Sequence, residues 1–263
     1  MAAVDSEGSG AGRAVVVIPT LNEEASIADV VRGIPRDLID RVIVADGGSK
    51  DATAARARTA GAEVIDAGAG YGRACLAGAL AAQGAEIVVF MDGDGADDPR
   101  AIEQLIAPIR AGRCDFVIGS RTRGEREPGS IAWHQRAAGI LAGWAMRLVC
   151  GTRYSDMCAF RAIRRDALLD LGMREPTYGW NIEMQMRAAQ AGLRILEIPV
   201  AYRRRSGGHS KVAGSLRGTL RAGARIIATF ARLSFRSKQQ LHRLRVERGL
   251  SSAKQAERDQ RAR

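Results

Sequence analysis

"VVFMDGDGADDP", residues 88–99, runs four apolar residues straight into four aspartates, Asp92, Asp94, Asp97 and Asp98. The apolar run has the make-up of the end of a buried strand. Carboxylates where a buried strand leaves the core call for a positive partner, because charge beside a low-dielectric interior is costly unless it is matched. Gly93 and Gly95 give the backbone room to turn. Two hard carboxylates two residues apart suit Mg²⁺ or Mn²⁺, ions that keep coordination positions open for phosphate oxygens. Taken alone, the Asp-x-Asp pair fits an acidic surface turn as well.

The neighbouring segments supply the context. "AVVVIP" (14–19), "RVIVADGG" (41–48), "AEVIDAG" (62–68), "EIVVFMDGDG" (86–95) and "DFVIGSR" (115–121) read as strands. Helical patterns lie between them, such as Ile27, Val30, Val31 and Ile34, or the stretch 49–61 with Ser49 as N-cap and Gly61 at its end. This alternation predicts an α/β fold: a mostly parallel sheet with helices on both faces. Ligands in such sheets bind at the carboxyl ends of the strands. Those ends read "PTLNEE", "DGGSKD", "DGDGADD" and "GSR", all polar and three of them acidic.

Residues 128–180 are less regular, with a helix over 133–151. A helix over 177–192, a strand over 193–202 and a basic loop, "RRRSGGHSK" (203–211), follow. The expected organisation is a small polar leader (1–13), an α/β catalytic domain (14–211), a basic amphipathic helix (212–235) and a basic tail, helical or disordered (236–263). In the helix, Arg217, Arg221, Arg225 and Arg232 share one face, with Leu216, Leu220, Ile226, Ile227, Phe230 and Leu233 opposite. That pattern suits a membrane-surface helix. It equally suits a helix docked on the domain with its arginines in solvent.

The net charge of +11 is concentrated at the C-terminal end: residues 203–263 carry 17 Lys/Arg against 3 Asp/Glu, leaving residues 1–202 at −3. Such a segment can meet anionic lipid, nucleic acid or a phosphorylated substrate. A nucleic-acid-binding protein is disfavoured because the basic segment lacks interleaved aromatics and the aspartates would have no role. A nucleotidyltransferase would show a glycine-rich basic loop after the first strand, where "PTLNEE" is acidic. The leader lacks the apolar centre of a secretion signal. "AAGILAGWAM" (137–146), between Arg136 and Arg147, is about half a membrane span. Cys75, Cys114, Cys150 and Cys158 show no paired spacing, consistent with reduced thiols in a cytoplasmic protein.

"VVIPTLNEE", "VIVADGGSKD", "VFMDGDGADDP", "DFVIGSR", "DMCAFRAIRRDAL", "GWNIEMQMRAAQAGLRILEIPVAYRRR" and "GGHSK" occur in an order that resembles the family 2 glycosyltransferases of the GT-A fold, most closely the dolichyl- or polyprenyl-phosphate mannosyltransferase-like branch. The resemblance implies an inverting, metal-dependent transfer from a nucleotide-diphospho-sugar. Its implied acceptor is a polyprenyl phosphate at the cytoplasmic membrane face, with peripheral contact to anionic lipid. A soluble hydroxyl acceptor is the alternative. The loop Pro19–Glu23, with Leu21, would border the nucleotide, and Glu23 and Asp46 would lie near base and ribose. Asp92, Gly93 and Asp94 would form the metal and diphosphate site, with Asp92 and Asp94 as ligands of Mg²⁺ or Mn²⁺. Arg121, Arg205 and Lys211 would hold phosphate oxygens. Asp156 resembles an acceptor-side acid, and Glu183 aligns with the base of relatives that use hydroxyl acceptors; otherwise Glu183 is a helix-surface acid. The branch often has Gln two places after the second metal Asp, where this chain has Ala96. His134 and His209 stand alone as spectators, although His209 lies in the phosphate loop. Phe160 and Tyr178 read as core, and Trp180 as core or an acceptor-side contact.

Overall fold

The computed structural model describes residues 13–127, 143–144, 146–148, 151–152, 154–205, 224 and 227–234. Strand β1 (Ala14–Thr20) is buried along its whole length, the reason its sequence is a continuous β-branched run rather than an alternating one. It pairs in parallel with β2 (Arg41–Asp46) on one side and β4 (Ile87–Phe90) on the other, and β3 (Glu63–Asp66) extends the sheet beyond β2. Helices α1 (Ile27–Gly33), α2 (Thr53–Thr59) and α3 (Tyr71–Ala81) make the crossovers. Helix α3 lies unusually close to β1: a Cβ on Gly78 would fall 2.2 Å from Val17 Cγ1. After a 3₁₀ turn, Pro99–Ala101, helix α4 (Ile102–Arg110) leads into β5 (Phe116–Ser120).

The sequence pattern missed the next element. Strand β6 (Arg161–Arg164) inserts antiparallel between β4 and β5, and a short helix α5 (Arg165–Asp170) follows it. Its four residues, Arg-Ala-Ile-Arg, have no apolar run to betray a strand. Arg161 is nevertheless fully buried, its guanidinium donating to the carbonyls of Cys158 and Asn181 and lying 5.8 Å from the Phe116 ring centroid. Helix α6 (Trp180–Gln190) and β7 (Ile195–Pro199) complete the order β3-β2-β1-β4-β6-β5-β7. Six strands run one way and β6 the other, so the chain leaves β1, β2, β4, β5 and β7 at one edge.

Most of the expected 133–151 helix and of the segment 206–263 lies outside the described residues. Residues 143–144, 146–148 and 227–234 are helical. In 227–234, Leu233 is buried in the core and Phe230 packs against it, while Ile227 is 70% exposed. Arg232, expected on a cationic outer face, instead pairs with buried Glu175 at 3.2 Å. This stretch docks on the domain.

The sheet's far half is latched at its other end by Asp115 and Arg194. The Arg194 side chain donates twice to that carboxylate, at 3.0 and 2.7 Å, and its backbone N–H once more at 3.0 Å. These bonds hold the Asp115 carboxyl down at about 2. A depressed carboxylate stabilises the fold above its unfolded-state pKa and stops doing so as pH falls through the folded value. Asp115→Asn should therefore cost about 1 kcal/mol at neutral pH, after screening of this partly exposed pair. In denaturant titrations the gap between variant and wild type should close between about pH 4 and pH 2.

Candidate active site

The loops after β1 and β2 are stapled together. Asn22, at φ +50°, donates its N–H to Ser49 Oγ at 2.8 Å and accepts the Lys50 N–H at 2.8 Å, and the Glu23 N–H donates to Thr53 Oγ1 at 2.8 Å. Ser49 also donates its hydroxyl and N–H to Asp46. It is thus a bridge between Asp46 and Asn22 rather than the N-cap of α2, which begins four residues later at Thr53. Pro19 lies within β1, opposite Ala45, and Leu21 is 37% exposed at the rim.

The aspartate loop passes beneath these staples. Gly93 is required there: a Cβ would sit 2.8 Å from Thr20 Cγ2. Its carbonyl accepts the Ser26 hydroxyl at 2.8 Å. The acids are not on an exposed turn, since Asp94, Asp97 and Asp98 are all buried. Asp98 is satisfied by Arg100 at 2.7 Å and by Arg203 at 3.0 Å, and the Arg100 hydrogen bonds hold its carboxyl below the usual range.

Asp92, Asp94 and Asp97 are less well matched. The Asp92 N–H donates to Asp97 Oδ2 at 3.2 Å, and Tyr71 donates its hydroxyl to Asp92 Oδ1 at 3.4 Å. Burial, then the charge of Asp94, pushes the Asp92 carboxyl up, and burial with the charges of Asp92 and Asp94 pushes Asp97 up. Asp94 accepts the Ala96 N–H on Oδ1 at 2.9 Å, and its Oδ2 lies 2.8 Å from Arg205 Nη2. The same nitrogen lies 3.3 Å from Glu23 Oε1. Arg205 is carried there by backbone pairing of the basic loop with the aspartate loop, through the Arg203 N–H to the Ala96 carbonyl at 2.9 Å.

Arg121 and Asp156 form a two-pronged ion pair, 2.8 Å on each prong, and Asp156 also accepts the Arg121 N–H at 2.9 Å. Burial pushes Asp156 up, but the bonds and charge of Arg121 outweigh it and hold the carboxyl below its ordinary value. The Arg121 guanidinium lies 5.0 Å from the Tyr202 ring centroid. Glu183 is not a surface acid: it is fully buried on α6. Its Oε1 meets Arg187 at 2.9 Å, and its Oε2 accepts the N–H groups of Arg174 and Glu175 at 3.0 and 2.6 Å. Trp180 is buried edge-on against Phe90, Phe160 is core, and Tyr178 is 39% exposed. Lys211, His134 and His209 lie outside the described residues.

Tyr71, Ser26, Thr53 and Tyr202 were not singled out from the sequence. "GYG" at 70–72 carried the one available signal. A Cβ on Gly70 or Gly72 would fall 2.5 Å from the Pro176 carbonyl oxygen or 2.0 Å from that of Glu175. The glycines let the 175–176 turn press on the start of α3, which sets Tyr71 against Asp92.

The donor set fits a divalent ion that shares its coordination with substrate. Among the described residues no group of three His, Cys, Asp or Glu side chains is arranged to hold a metal. Asp92 and Asp94 offer two carboxylates, and Ala96 offers none. Mg²⁺ and Mn²⁺ suit such a site, taking one or two carboxylates and filling the rest with water and phosphate oxygens.

The family model for glycosyl transferase family 2 matches residues 15–172. An uncharacterised glycosyltransferase of Mycobacterium tuberculosis is 40% identical over 214 residues, covering 80% of this chain and 94% of that protein. An undecaprenyl-phosphate mannosyltransferase of Micrococcus luteus is 32% identical over 225 residues, covering 78% and 90%. Among solved structures, glucosyl-3-phosphoglycerate synthase of Mycobacterium tuberculosis, in complex with Mn²⁺, uridine-diphosphate-glucose and phosphoglyceric acid, superposes with a TM-score of 0.67 at 27% identity, covering 85% of this chain and 80% of that one. The mostly parallel sheet, its acidic carboxyl edge and these similarities agree: the chain belongs to glycosyl transferase family 2 and is a glycosyltransferase of the GT-A fold.

Proposed function

We propose that the protein transfers a sugar from a nucleotide-diphospho-sugar to a polyprenyl phosphate, with inversion at the anomeric carbon. The observation that carries the acceptor assignment is the state of the two candidate bases. Asp156 is bound on both oxygens by Arg121, and Glu183 is buried with both oxygens engaged. A hydroxyl acceptor needs a base to take its proton, whereas a phosphate acceptor arrives anionic. The similarity to an undecaprenyl-phosphate mannosyltransferase supports the same reading.

In this mechanism an acceptor phosphate oxygen attacks the anomeric carbon. The bond from that carbon to the donor's diphosphate oxygen breaks, and the nucleoside diphosphate leaves with the electron pair. No proton need move. Asp92 and Asp94 would hold Mg²⁺ or Mn²⁺, whose chemistry is to neutralise charge on the leaving diphosphate. Arg205 and Lys211 would add positive charge to the same oxygens. Asp46 and Glu23, on the stapled loops, would border the nucleoside. Arg121, held flat by Asp156 beside Tyr202, would face the acceptor phosphate.

Membrane contact has support on the surface. Trp144 and Leu148, one helical turn apart, are 61% and 83% exposed, and the Arg147 guanidinium lies 6.0 Å from the Trp144 ring centroid. An exposed aromatic and leucine beside a cation suit the headgroup boundary. No helix among the described residues is long and apolar enough to cross a membrane.

Three outcomes are expected. Asp94→Asn should lower metal-dependent sugar transfer at least ~100-fold, about 2.7 kcal/mol of transition-state stabilisation, with an unchanged circular dichroism spectrum; wild-type turnover would remove Asp94 from the metal site. Wild-type protein should sediment with anionic vesicles at low salt and be released at high salt. Trp144→Glu with Leu148→Glu should weaken that retention about tenfold or more. Transfer of labelled sugar to phosphoglycerate but not to polyprenyl phosphate would favour the soluble acceptor instead.

A further inference from the structure

The contacts of Arg205 go beyond holding a phosphate. Its Nη2 bridges Asp94 Oδ2 at 2.8 Å and Glu23 Oε1 at 3.3 Å, so a guanidinium stands on a carboxylate oxygen that a metal would take. Its Nε is buried with no hydrogen-bond partner among the described residues. A buried guanidinium N–H without an acceptor is an unmet demand, of the kind a phosphate oxygen satisfies. The backbone beneath it is pinned: Arg203 donates to the Ala96 carbonyl at 2.9 Å, and the Arg204 N–H to Glu127 Oε2 at 2.8 Å. Any exchange of partners therefore falls to rotation of the side chain.

We infer, on the basis of the function proposed above, that Arg205 is the resident counter-ion of the metal-free site, released from Asp94 when metal and diphosphate enter together. The guanidinium screens acids that burial has brought together, so the site without metal does not carry their full repulsion. A metal arriving alone must displace that cation and finds few protein ligands. A metal arriving with a diphosphate brings its own oxygens and gives Arg205 a new anionic partner. Metal and nucleotide thus promote each other's binding, and Arg205 couples them.

Titration of Mn²⁺ alone, followed by the electron paramagnetic resonance signal of the free ion, tests this. Arg205→Gln should bind Mn²⁺ at least about fivefold more tightly than wild type, because the competing cation is gone. Arg205→Lys, which keeps the charge and loses the fork, should fall between them. A merely structural arginine would give the opposite sign, since its loss would loosen the site. Unchanged or weaker Mn²⁺ binding in Arg205→Gln, with binding lost in Asp94→Asn, overturns the counter-ion role and leaves the metal site standing. Unchanged Mn²⁺ binding in Asp94→Asn instead removes the metal site itself. Thermal unfolding of each variant establishes that it is folded before the titrations are compared.

Discussion

The site is governed by carboxylates gathered at the edge of a sheet where water cannot fully screen them. Asp94 and Asp97 are buried, and Asp92 and Asp97 are pushed towards their protonated forms by burial and by neighbouring negative charge. Such an arrangement stands only with cations close by. Asp98 has Arg100 and Arg203, Asp156 has Arg121, and Asp94 has Arg205. The unequal matching is informative. Asp98 and Asp156, each paired through two hydrogen bonds or more, are parts of the frame, while Asp92 and Asp97 are left beside like charge and Asp94 shares its one cation with Glu23.

Topology brings these groups together. Helix α4 carries the chain from the end of β4 back to the start of β5, and β6 runs back to the opposite edge before β7, so the polypeptide leaves β5 and β7 at the same edge as β1, β2 and β4. Arg121 and the 202–205 loop therefore face the aspartates across the sheet rather than lying on its far side. The buried guanidinium of Arg161 anchors the inserted strand through backbone carbonyls.

Much of this was legible in the sequence for a physical reason. Strands buried on both faces must be continuous apolar runs, and "VVVI", "VIVA" and "IVVF" are. Their acidic ends pointed to the candidate site, and Gly93, read as room for a turn, lies in a close passage against Thr20. What stayed hidden depended on contacts distant in sequence. Strand β6 is short and begins and ends in arginine. Ser49 has the look of an N-cap, but its hydroxyl had a better partner in Asp46. Glu183 sits on a helix whose outward face cannot be told from its inward one without knowing that the 174–175 turn would donate two N–H groups to it. The amphipathic pattern of the C-terminal helix likewise could not say that Arg232 would find Glu175.

Glu175 extends this logic from the C-terminal segment towards the catalytic edge. It accepts the Thr229 hydroxyl at 2.9 Å and Arg232 at 3.2 Å, while its own N–H is held by Glu183. The next residue, Pro176, accepts the Arg73 N–H at 3.1 Å, beside the glycines that admit the turn. Tyr71, in the same turn of α3, reaches Asp92. Contacts are therefore continuous from helix 227–234 to the aspartates. Glu183 is the link that fixes the turn, which is a reason for its burial that requires no part in proton transfer. Glu183 so committed is one observation behind the proposal of a phosphate acceptor, which arrives already anionic and asks for no base.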